Sequence, residues 1–389
     1  MKIAILTSGI LTVPAVQGGA VENLTDFYLE YNEQHRLHDI TVYSVWHPMV
    51  EHHPALQSKA NHYQFVQVET PLAKVKKRLY KWTHSQGYYH YTIEYFLEKV
   101  LKDLRQKSYD MIILENRPGF ALRLKGMTSA KLVYHLHNEK ITYQIPQAKA
   151  IYQAADRIIC VSDYIKRCVQ SINTNDTKTI TVHNGINLGA FSAKGRKEKK
   201  SNDMFTLLFS GRLNAEKGIL QLLDALNRLI NKANIRLLVI GSSFYGNTNQ
   251  EDDFIRVLKA KAKPLEKYIE FTGFVPYEQM PDYLKLADVA VIPSVWDDPF
   301  PTTVLEAQAM GLPIITTRRG GIPEEVSEEN ALLLTTDEHF VEHLAEAILD
   351  LYQHPEKRER MAAASRSRSH LFSKENYARN FFAALEDIP

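Results

Sequence analysis

Residues 293–313 read PSVWDDPFPTTVLEAQAMGLP and follow an apolar run at 289–292 that is typical of a buried strand. The pattern predicts a strand, a proline-rich polar loop, and a helix that starts at Thr302 or Thr303. The free N–H groups and the positive dipole end of such a helix suit a diphosphate. Asp298 in the loop and Glu306 in the helix add acceptors for sugar hydroxyls. The stretch therefore predicts a site for phosphate and polyol together, as a nucleotide-sugar requires.

A second motif, FSGRLNAEKG at 209–218, ends another apolar run and precedes a helical pattern at 219–229. Arg212 follows the predicted strand at its carboxyl edge, and Lys217 comes directly before Gly218. Ligands of open α/β sheets bind at this edge. There Arg can neutralise a diphosphate through a forked contact and Lys can do so as a point charge. The alternative to a diphosphate site is that Arg212 and Lys217 are two solvated cations on a turn. That interpretation leaves the acidic loop at 297–298 unexplained.

Short apolar runs alternate with helix-length segments along the chain, which predicts βαβ units and parallel sheets buried on both faces. The first series of predicted strands covers 3–6, 40–45, 65–68, 111–114, 132–136, 157–161 and 179–182. The second covers 205–210, 235–240, 269–271, 289–292, 313–316 and 331–334. A polar, charged stretch at 192–203 separates the two series. We therefore predict domains at 1–188 and 204–372, a linker at 189–203 and a terminal segment at 373–389.

The composition excludes several classes of protein. The 389 residues are 44% hydrophobic, and 47 basic against 45 acidic residues leave a net charge of +2, which argues against a nucleic-acid partner. The two cysteines imply no disulfide framework and fit a reducing compartment. The first apolar run is too short for a signal peptide, and no run of about 18 apolar residues predicts a membrane span. We expect a cytoplasmic protein.

Two turns give weaker signals. Gly18 and Gly19 follow the first predicted strand and precede a helical stretch at 20–31, where they could form an anion-accepting turn. A plain tight turn explains them equally well, and the G-x-G-x-x-G dinucleotide fingerprint is absent. The HNG sequence at 183–185 ends the last strand of the first series, and a hinge or a structural turn accounts for it.

His135 and His137 end a predicted strand and share one of its faces, because strand side chains alternate. They resemble a metal pair, but no carboxylate or further histidine is evident nearby at ligand spacing. A strand histidine is usually structural, whereas one at the carboxyl end of a strand enters the cleft. We therefore predict that His137 contacts substrate.

The segment PLAKVKKRLYKW at 71–82 predicts a basic amphipathic helix. Its apolar positions are Leu72, Val75, Leu79 and Trp82, and its basic positions are Lys74, Lys76, Lys77, Arg78 and Lys81. Such a helix could lie on an anionic membrane surface. The favoured interpretation is an ordinary surface helix with its apolar stripe packed on the core.

Taken in order, these motifs resemble glycosyltransferase family 4, whose members are retaining enzymes of the GT-B fold. The resemblance covers essentially the whole chain. Its residues are GG at 18–19, the strand histidine, VS at 161–162, HNGI at 183–186, GRL…EKG at 211–218, PS…LEA at 293–307 and GGIPE at 320–324. The opening residues VPAV…GGA at 13–20 look most like bacterial surface-polysaccharide members.

The resemblance implies two Rossmann-like domains whose parallel sheets face each other across a cleft, and a last helix at about 374–385 that crosses back to the first domain. It implies that Arg212 and Lys217 hold the donor diphosphate, Glu306 the ribose and Asp298 the transferred sugar. The other implied donor contacts are Gly18, Gly19, Phe300, Thr302 and Thr303, and the implied acceptor-side residues are His137 and Asn138.

One departure from the family pattern concerns the acidic pair. The usual Glu-x7-Glu is Asp298-x7-Glu306 here, and Phe300-Pro301 replaces the usual Phe-Gly. The shorter Asp298 reaches the sugar differently and proline removes a backbone donor, so the identity of the donor stays open. There is no Asp-x-Asp motif, so we expect no metal or other cofactor, with cations and helix dipoles stabilising the leaving group.

The leading hypothesis is a metal-independent, retaining glycosyltransferase of the hexosyltransferase type. It would move a sugar from a nucleotide diphosphate to a glycan or lipid-linked acceptor in capsule, cell-wall or other surface-polysaccharide synthesis. We choose uridine as the nucleoside of the donor only because it is frequent among donors of this family. The alternatives are a nucleotide-sugar epimerase of the same fold and a non-catalytic partner of another transferase. If segment 71–82 does not pack on the core, it could provide peripheral contact with the inner face of the cell membrane.

Overall fold

The computed structural model describes residues 1–83, 91–192, 204–242 and 253–388. The chain divides into two compact units. The N-terminal unit comprises Met1–Asn184 and Glu375–Pro389, and the C-terminal unit comprises Gly185–Lys374. Most of the predicted linker, at 193–203, lies outside the described residues.

The described part of the N-terminal unit contains one parallel sheet of seven strands in the order β3-β2-β1-β4-β5-β6-β7. The strands are β1 (Lys2–Leu6), β2 (Asp39–Val45), β3 (Asn61–Val66), β4 (Met111–Glu115), β5 (Lys131–Leu136), β6 (Arg157–Cys160) and β7 (Thr179–Thr181). The helices that connect them are α1 (Ala20–His35), α2 (Pro71–Thr83), α3 (Tyr91–Leu104), α4 (Ala121–Leu124), α5 (Ala148–Ala154) and α6 (Asp163–Gln170).

The described part of the C-terminal unit contains a second parallel sheet, of six strands in the order β10-β9-β8-β11-β12-β13. The strands are β8 (Phe205–Ser210), β9 (Ile235–Ile240), β10 (Ile269–Gly273), β11 (Val289–Ile292), β12 (Ile314–Thr317) and β13 (Ala331–Leu334). The helices of this unit are α7 (Ile219–Asn227), α8 (Asp253–Ala262), α9 (Met280–Leu284), α10 (Thr302–Ala309), α11 (Ile322–Glu325), α12 (Phe340–Gln353) and α13 (Pro355–Ser369). The last described helix, α14 (Lys374–Ala383), belongs to the N-terminal unit from Glu375 onward.

The strand order marks a candidate ligand-binding edge in each unit. In the N-terminal sheet β1 lies between β2 and β4, and in the C-terminal sheet β8 lies between β9 and β11. The chain therefore reverses its direction across the sheet next to β1 and next to β8. Ligands of open α/β sheets bind at such a switch point, outside the carboxyl ends of the strands.

The predicted α/β architecture with two parallel sheets is confirmed, and each predicted strand overlaps a strand of these sheets. The central strands are buried on both faces, as their unbroken apolar sequences predict. The prediction of a strand at 65–68 was misplaced, because β3 spans Asn61–Val66. This edge strand has no continuous apolar run. Its start is held by Asn61, whose side-chain amide donates to the Leu29 carbonyl over 2.9 Å.

Helix α14 packs in the N-terminal unit although it ends the chain. The Phe381 ring stacks on the Tyr28 ring of α1, with 4.2 Å between the ring centres. Tyr377 and Phe382 join the same buried cluster. Aromatic pairs of this kind contribute about 0.5–1.5 kcal/mol beyond the apolar area that they bury. The helix therefore stabilises the unit that contains the first half of the chain.

Candidate active site

The carboxyl ends of β8 and β11 carry two loops that backbone contacts hold together. Val295 N donates to the Glu216 carbonyl over 2.9 Å, and Ser294 Oγ donates to the same oxygen over 3.3 Å. Gly218 has a φ of +72°, and a Cβ there would lie 1.9 Å from the Pro293 carbonyl oxygen. Only glycine fits at this position, and the close approach keeps the two predicted motifs side by side.

Lys217 and Asp298 form an ion pair between these loops. Lys217 Nζ donates to Asp298 Oδ2, and the two side chains are 17% and 6% exposed respectively. Trp296 lies beside the pair, with the ammonium group 5.8 Å from the centre of its ring. The structure thus brings together a predicted phosphate ligand and a predicted sugar ligand, and the carboxylate orients the cation.

The backbone at Asp298 is held by the glycine pair at 320–321. Gly321 N donates to the Asp298 carbonyl over 2.8 Å, and Gly320 N donates to Asp297 Oδ1 over 3.3 Å. A Cβ on Gly320, whose φ is +55°, would lie 2.2 Å from the Asp298 carbonyl oxygen. The GGIPE motif therefore supports the acidic loop directly.

Helix α10 begins at Thr302, as predicted, and its first turn has no side-chain cap. Its N-terminal N–H groups and dipole suit an anion. Glu306 is buried one turn further along, where burial raises its pKa to about 8 and a hydrogen bond with Thr302 lowers it in part. A carboxyl group that is protonated near neutral pH can donate as well as accept, which suits a pair of ribose hydroxyls.

The remaining predicted donor contacts of the C-terminal unit differ in their surroundings. Arg212 is exposed at the carboxyl edge of the sheet, and Thr303 is half-buried in the first turn of α10. Phe300 is 4% exposed, and its ring packs edge-on against Phe372 with 5.8 Å between the ring centres. Phe300 supports the loop from within the unit, and a direct contact with the donor stays a prediction.

Gly18 and Gly19 precede α1 in the N-terminal unit with φ values of +75° and +108°. A Cβ on Gly19 would lie 2.3 Å from Glu22 Oε2. Burial raises the pKa of this Glu22 carboxyl to about 7. Because Glu22 lies in the first turn of α1, it competes for the N–H groups that an anionic ligand would use. Donor binding at the glycine pair stays a prediction.

A buried cluster of Glu115, His135 and His137 lies at the carboxyl ends of β4 and β5. Glu115 Oε2 is 3.1 Å from His135 Nδ1 and 3.3 Å from His137 Nε2. Tyr28 Oη donates to Glu115 Oε1 over 2.7 Å. No carboxylate was evident at ligand spacing in the sequence around the histidines, but the register of β4 and β5 places Glu115 opposite His135.

The electrostatics of this cluster set its protonation. Burial by itself would raise the pKa of Glu115, but His135 and His137 outweigh it and hold that pKa well below its usual range. Burial and the neighbouring His135 lower the pKa of His137 to about 4. At neutral pH Glu115 is therefore a carboxylate and His137 is neutral. Asn138 follows with its Oδ1 buried and unpaired among the described residues.

Two buried acids, one at the end of a strand and one at the end of a helix, were not identified from the sequence. Glu115 directly follows the apolar run at 111–114, and that position alone would have marked it as a residue of the binding edge. Glu325 ends the short helix α11, where burial and the charge of Asp298 raise its pKa well above the usual range. Neither of its oxygens has a hydrogen-bond partner within the described ranges. No sequence signal marked Glu325.

The predicted basic helix occurs as α2, but its apolar stripe points outward. The exposed fractions are 62% for Leu72, 54% for Val75, 60% for Leu79 and 90% for Trp82. Ala73 and Lys77 form the buried face, and Lys77 Nζ pairs with Glu69 over 3.1 Å. The favoured interpretation of a stripe packed on the core was therefore wrong, because the narrow Ala73 face packs inward.

Family models match both halves of the chain. Residues 31–190 match the model described as glycosyltransferase family 4, and residues 191–368 match the model described as glycosyl transferases group 1. Spore coat protein SA of Bacillus subtilis is 29% identical over an alignment of 406 positions, gaps included, that covers 99% of both chains. The lipopolysaccharide 1,2-N-acetylglucosaminetransferase of Salmonella typhimurium is 26% identical and covers 79% of this chain and 80% of its own length.

Solved structures show the same fold. A glycosyltransferase from Rickettsia africae matches with a TM-score of 0.75 and 18% identity over 99% of both chains. The HepE protein of Anabaena, in complex with UDP and glucose, matches with a TM-score of 0.72 and 20% identity over the full length of both chains. At these identities the likeness is one of fold.

Proposed function

The chain belongs to glycosyltransferase family 4 and has the GT-B fold, and we propose on this basis that it is a retaining transferase that uses a UDP-sugar. The observation that supports this most directly is the Lys217–Asp298 pair beside the start of α10, where β8 and β11 end. The cation and the helix end suit a diphosphate, and the carboxylate suits sugar hydroxyls.

The proposed roles follow from the surroundings of each group. Arg212 and Lys217 bind the diphosphate, Glu306 binds the ribose, and Asp298 binds the transferred sugar while it orients Lys217. The acceptor oxygen attacks the anomeric carbon from the face that the diphosphate leaves. The bond between that carbon and the diphosphate oxygen breaks, and the departing phosphate takes the acceptor proton. The cations and the α10 N-terminus stabilise the developing charge, so the proposal requires no metal.

Uridine as the base is supported by neighbours of the same fold that bind UDP. The HepE protein of Anabaena was solved with UDP and glucose, and the pneumococcal O-GlcNAc transferase was solved with UDP and GlcNAc. For the acceptor, the Salmonella relative is named for a lipopolysaccharide. We therefore propose a surface glycan or a lipid-linked glycan as the acceptor, contacted by His137 and Asn138.

Peripheral contact with a membrane is the second part of the proposal. None of the described helices is long and apolar enough to span a bilayer. Helix α2 instead exposes Leu72 and Trp82 together with the basic residues Lys76 and Arg78. An exposed apolar stripe flanked by cations suits the surface of an anionic membrane. Such a contact would bring the enzyme to a lipid-linked acceptor.

Thermal-shift titration of the full chain with UDP, GDP and ADP tests the donor assignment. A ligand at about 100 times its dissociation constant stabilises the state it binds by about 2.7 kcal/mol. We expect UDP to raise the melting temperature of the wild type and Arg212→Ala to abolish that rise. The control variant Arg256→Ala, which changes an exposed arginine of the same unit, should keep it. If none of the three nucleotides raises the melting temperature, the result would favour a non-catalytic partner of another transferase. Conversion of a nucleotide-sugar without an acceptor would favour the epimerase.

A further inference from the structure

The buried side chain of Glu115 contacts both His137, which we predict to bind substrate, and Tyr28 in the core of the N-terminal unit. We infer that Glu115 is a positioning residue, which holds His137 in the neutral tautomer with its hydrogen on Nε2 and thereby leaves Nδ1 to accept a hydrogen bond from a substrate hydroxyl. This inference rests on the proposed function, in which His137 contacts the acceptor or the sugar. Sequence reasoning did not identify Glu115.

The hydrogen-bond chemistry of the cluster determines the tautomer. A carboxylate only accepts hydrogen bonds, so the Nε2 of His137 that lies 3.3 Å from Glu115 Oε2 carries a hydrogen. A neutral imidazole has one hydrogen on its ring nitrogens, which leaves Nδ1 with a lone pair. The His137 side chain is 6% exposed, so its ring is almost enclosed while it remains at the carboxyl end of the strand.

The position of Glu115 is itself well determined. Tyr28 Oη donates to Oε1 over 2.7 Å, and the Tyr28 ring stacks on Phe381 of α14. Asn116 Oδ1 accepts from the backbone N of His137 over 3.3 Å, which ties the ends of β4 and β5 together. Because the carboxylate is held from α1 and the histidine backbone is held from β4, the ring has little freedom to turn away.

A metal ion is the competing explanation for the same three side chains. Their ligand atoms lie within 4.8 Å of one another, and two histidines with one glutamate form a known zinc ligand set. A metal on His135 Nδ1 would place the hydrogen of that ring on Nε2. That atom is buried and lacks a partner in the described part of the chain, whereas metal-bound histidines almost always donate through their second nitrogen. The hydrogen-bonded arrangement avoids a buried, unpaired donor.

Nitrogen-15 NMR of the histidines in the full chain measures the tautomer directly. We expect the wild-type His137 signal, assigned by its loss in His137→Gln, to show a protonated Nε2 and an unprotonated Nδ1 at pH 7. In Glu115→Gln the side-chain amide can donate to Nε2, so the hydrogen should move to Nδ1. A wild-type ring protonated on Nδ1, or a spectrum that Glu115→Gln leaves unchanged, would overturn the inference.

Kinetics separate positioning from a structural role. We expect Glu115→Gln to lower kcat/KM for transfer by about 10- to 100-fold, because the ring then presents a donor to a hydroxyl that needs an acceptor. The melting shift with UDP should remain, and Glu51→Gln, the same change at an exposed site, should leave the kinetics unaltered. One equivalent of bound zinc by elemental analysis would replace the inference with a metal site. A wild type without transferase activity would refute the proposed function, while the NMR would still decide the tautomer.

Discussion

Lys217 and Asp298 neutralise each other in the C-terminal unit although 81 positions separate them in the chain. The pairing arises because β8 and β11 are neighbours in the parallel sheet, so that the loops at their carboxyl ends meet. The carboxylate holds the ammonium group within hydrogen-bond distance before the proposed donor diphosphate binds. A group that is oriented in advance loses less side-chain entropy when it binds a ligand.

Replacement of Lys217 by alanine tests the proposed stabilisation of the leaving group. We expect kcat to fall by about 10²–10³, because the loss of one such donor typically costs that much. The measurement is the initial rate of sugar transfer at saturating donor. Lys232→Ala removes an exposed lysine of the same unit and should leave the rate unaltered. Full turnover by Lys217→Ala would refute the role.

The buried carboxyl of Glu306 predicts a pH-dependent stability. Its pKa is raised from 4.5 to about 8, so the folded protein keeps a proton that the unfolded chain has released. Between these pKa values the wild type loses stability as the pH rises, by up to about 1.4 kcal/mol per pH unit. Glu306→Gln removes this titration, so the stability of the variant relative to the wild type should increase from pH 5 to pH 8.

Chemical denaturation at several pH values measures this difference. The acids Glu22 and Asp26, whose pKa values burial also raises to about 7, titrate in both proteins and cancel in the comparison. Glu346→Gln, at an exposed glutamate of α12, should run parallel to the wild type at every pH. A difference between Glu306→Gln and the wild type that does not change with pH would contradict the prediction.

The docking of α14 predicts a large effect of a single core substitution. Phe381 is fully buried against Tyr28, and we expect Phe381→Ala to lower the free energy of unfolding by about 3–5 kcal/mol through lost contacts and a cavity. Denaturant unfolding of the full chain measures it. Asn380→Ala changes an exposed neighbour on the same helix and should cost less than about 1 kcal/mol. A similarly small cost for Phe381→Ala would show that the helix is not docked as described.

The outward face of α2 predicts binding to anionic membranes. We expect Lys76→Glu with Arg78→Glu to abolish co-sedimentation with vesicles that contain phosphatidylglycerol, because each basic residue near such a surface contributes about 1 kcal/mol. Lys77 is unsuitable for this test, since it is buried and paired with Glu69. The control is Lys125→Glu with Lys149→Glu, which reverses two exposed charges elsewhere in the unit and should leave vesicle binding intact. Equal loss of binding in both double variants would show that net charge, and not α2, is responsible.

The sequence by itself determined where most strands lie and where helix α10 begins. Strands such as β8 and β11 appear at the predicted residues because a parallel strand covered on both faces must be apolar throughout. Helix α10 begins at Thr302 as predicted, because Pro301 disfavours a helical backbone at the residue before it and the polar loop ends there. Both signals are local, so a single sequence contains them.

Only the tertiary structure decided which side chains meet. The contact of Glu115 with His137 depends on the β4–β5 register, and that of Lys217 with Asp298 depends on β8 lying beside β11. Strand order and register are properties of the assembled sheet, which no local pattern records. The outward face of α2 was missed for a related reason. Periodicity shows that a helix has an apolar face, but the packing of its neighbours decides which face is covered.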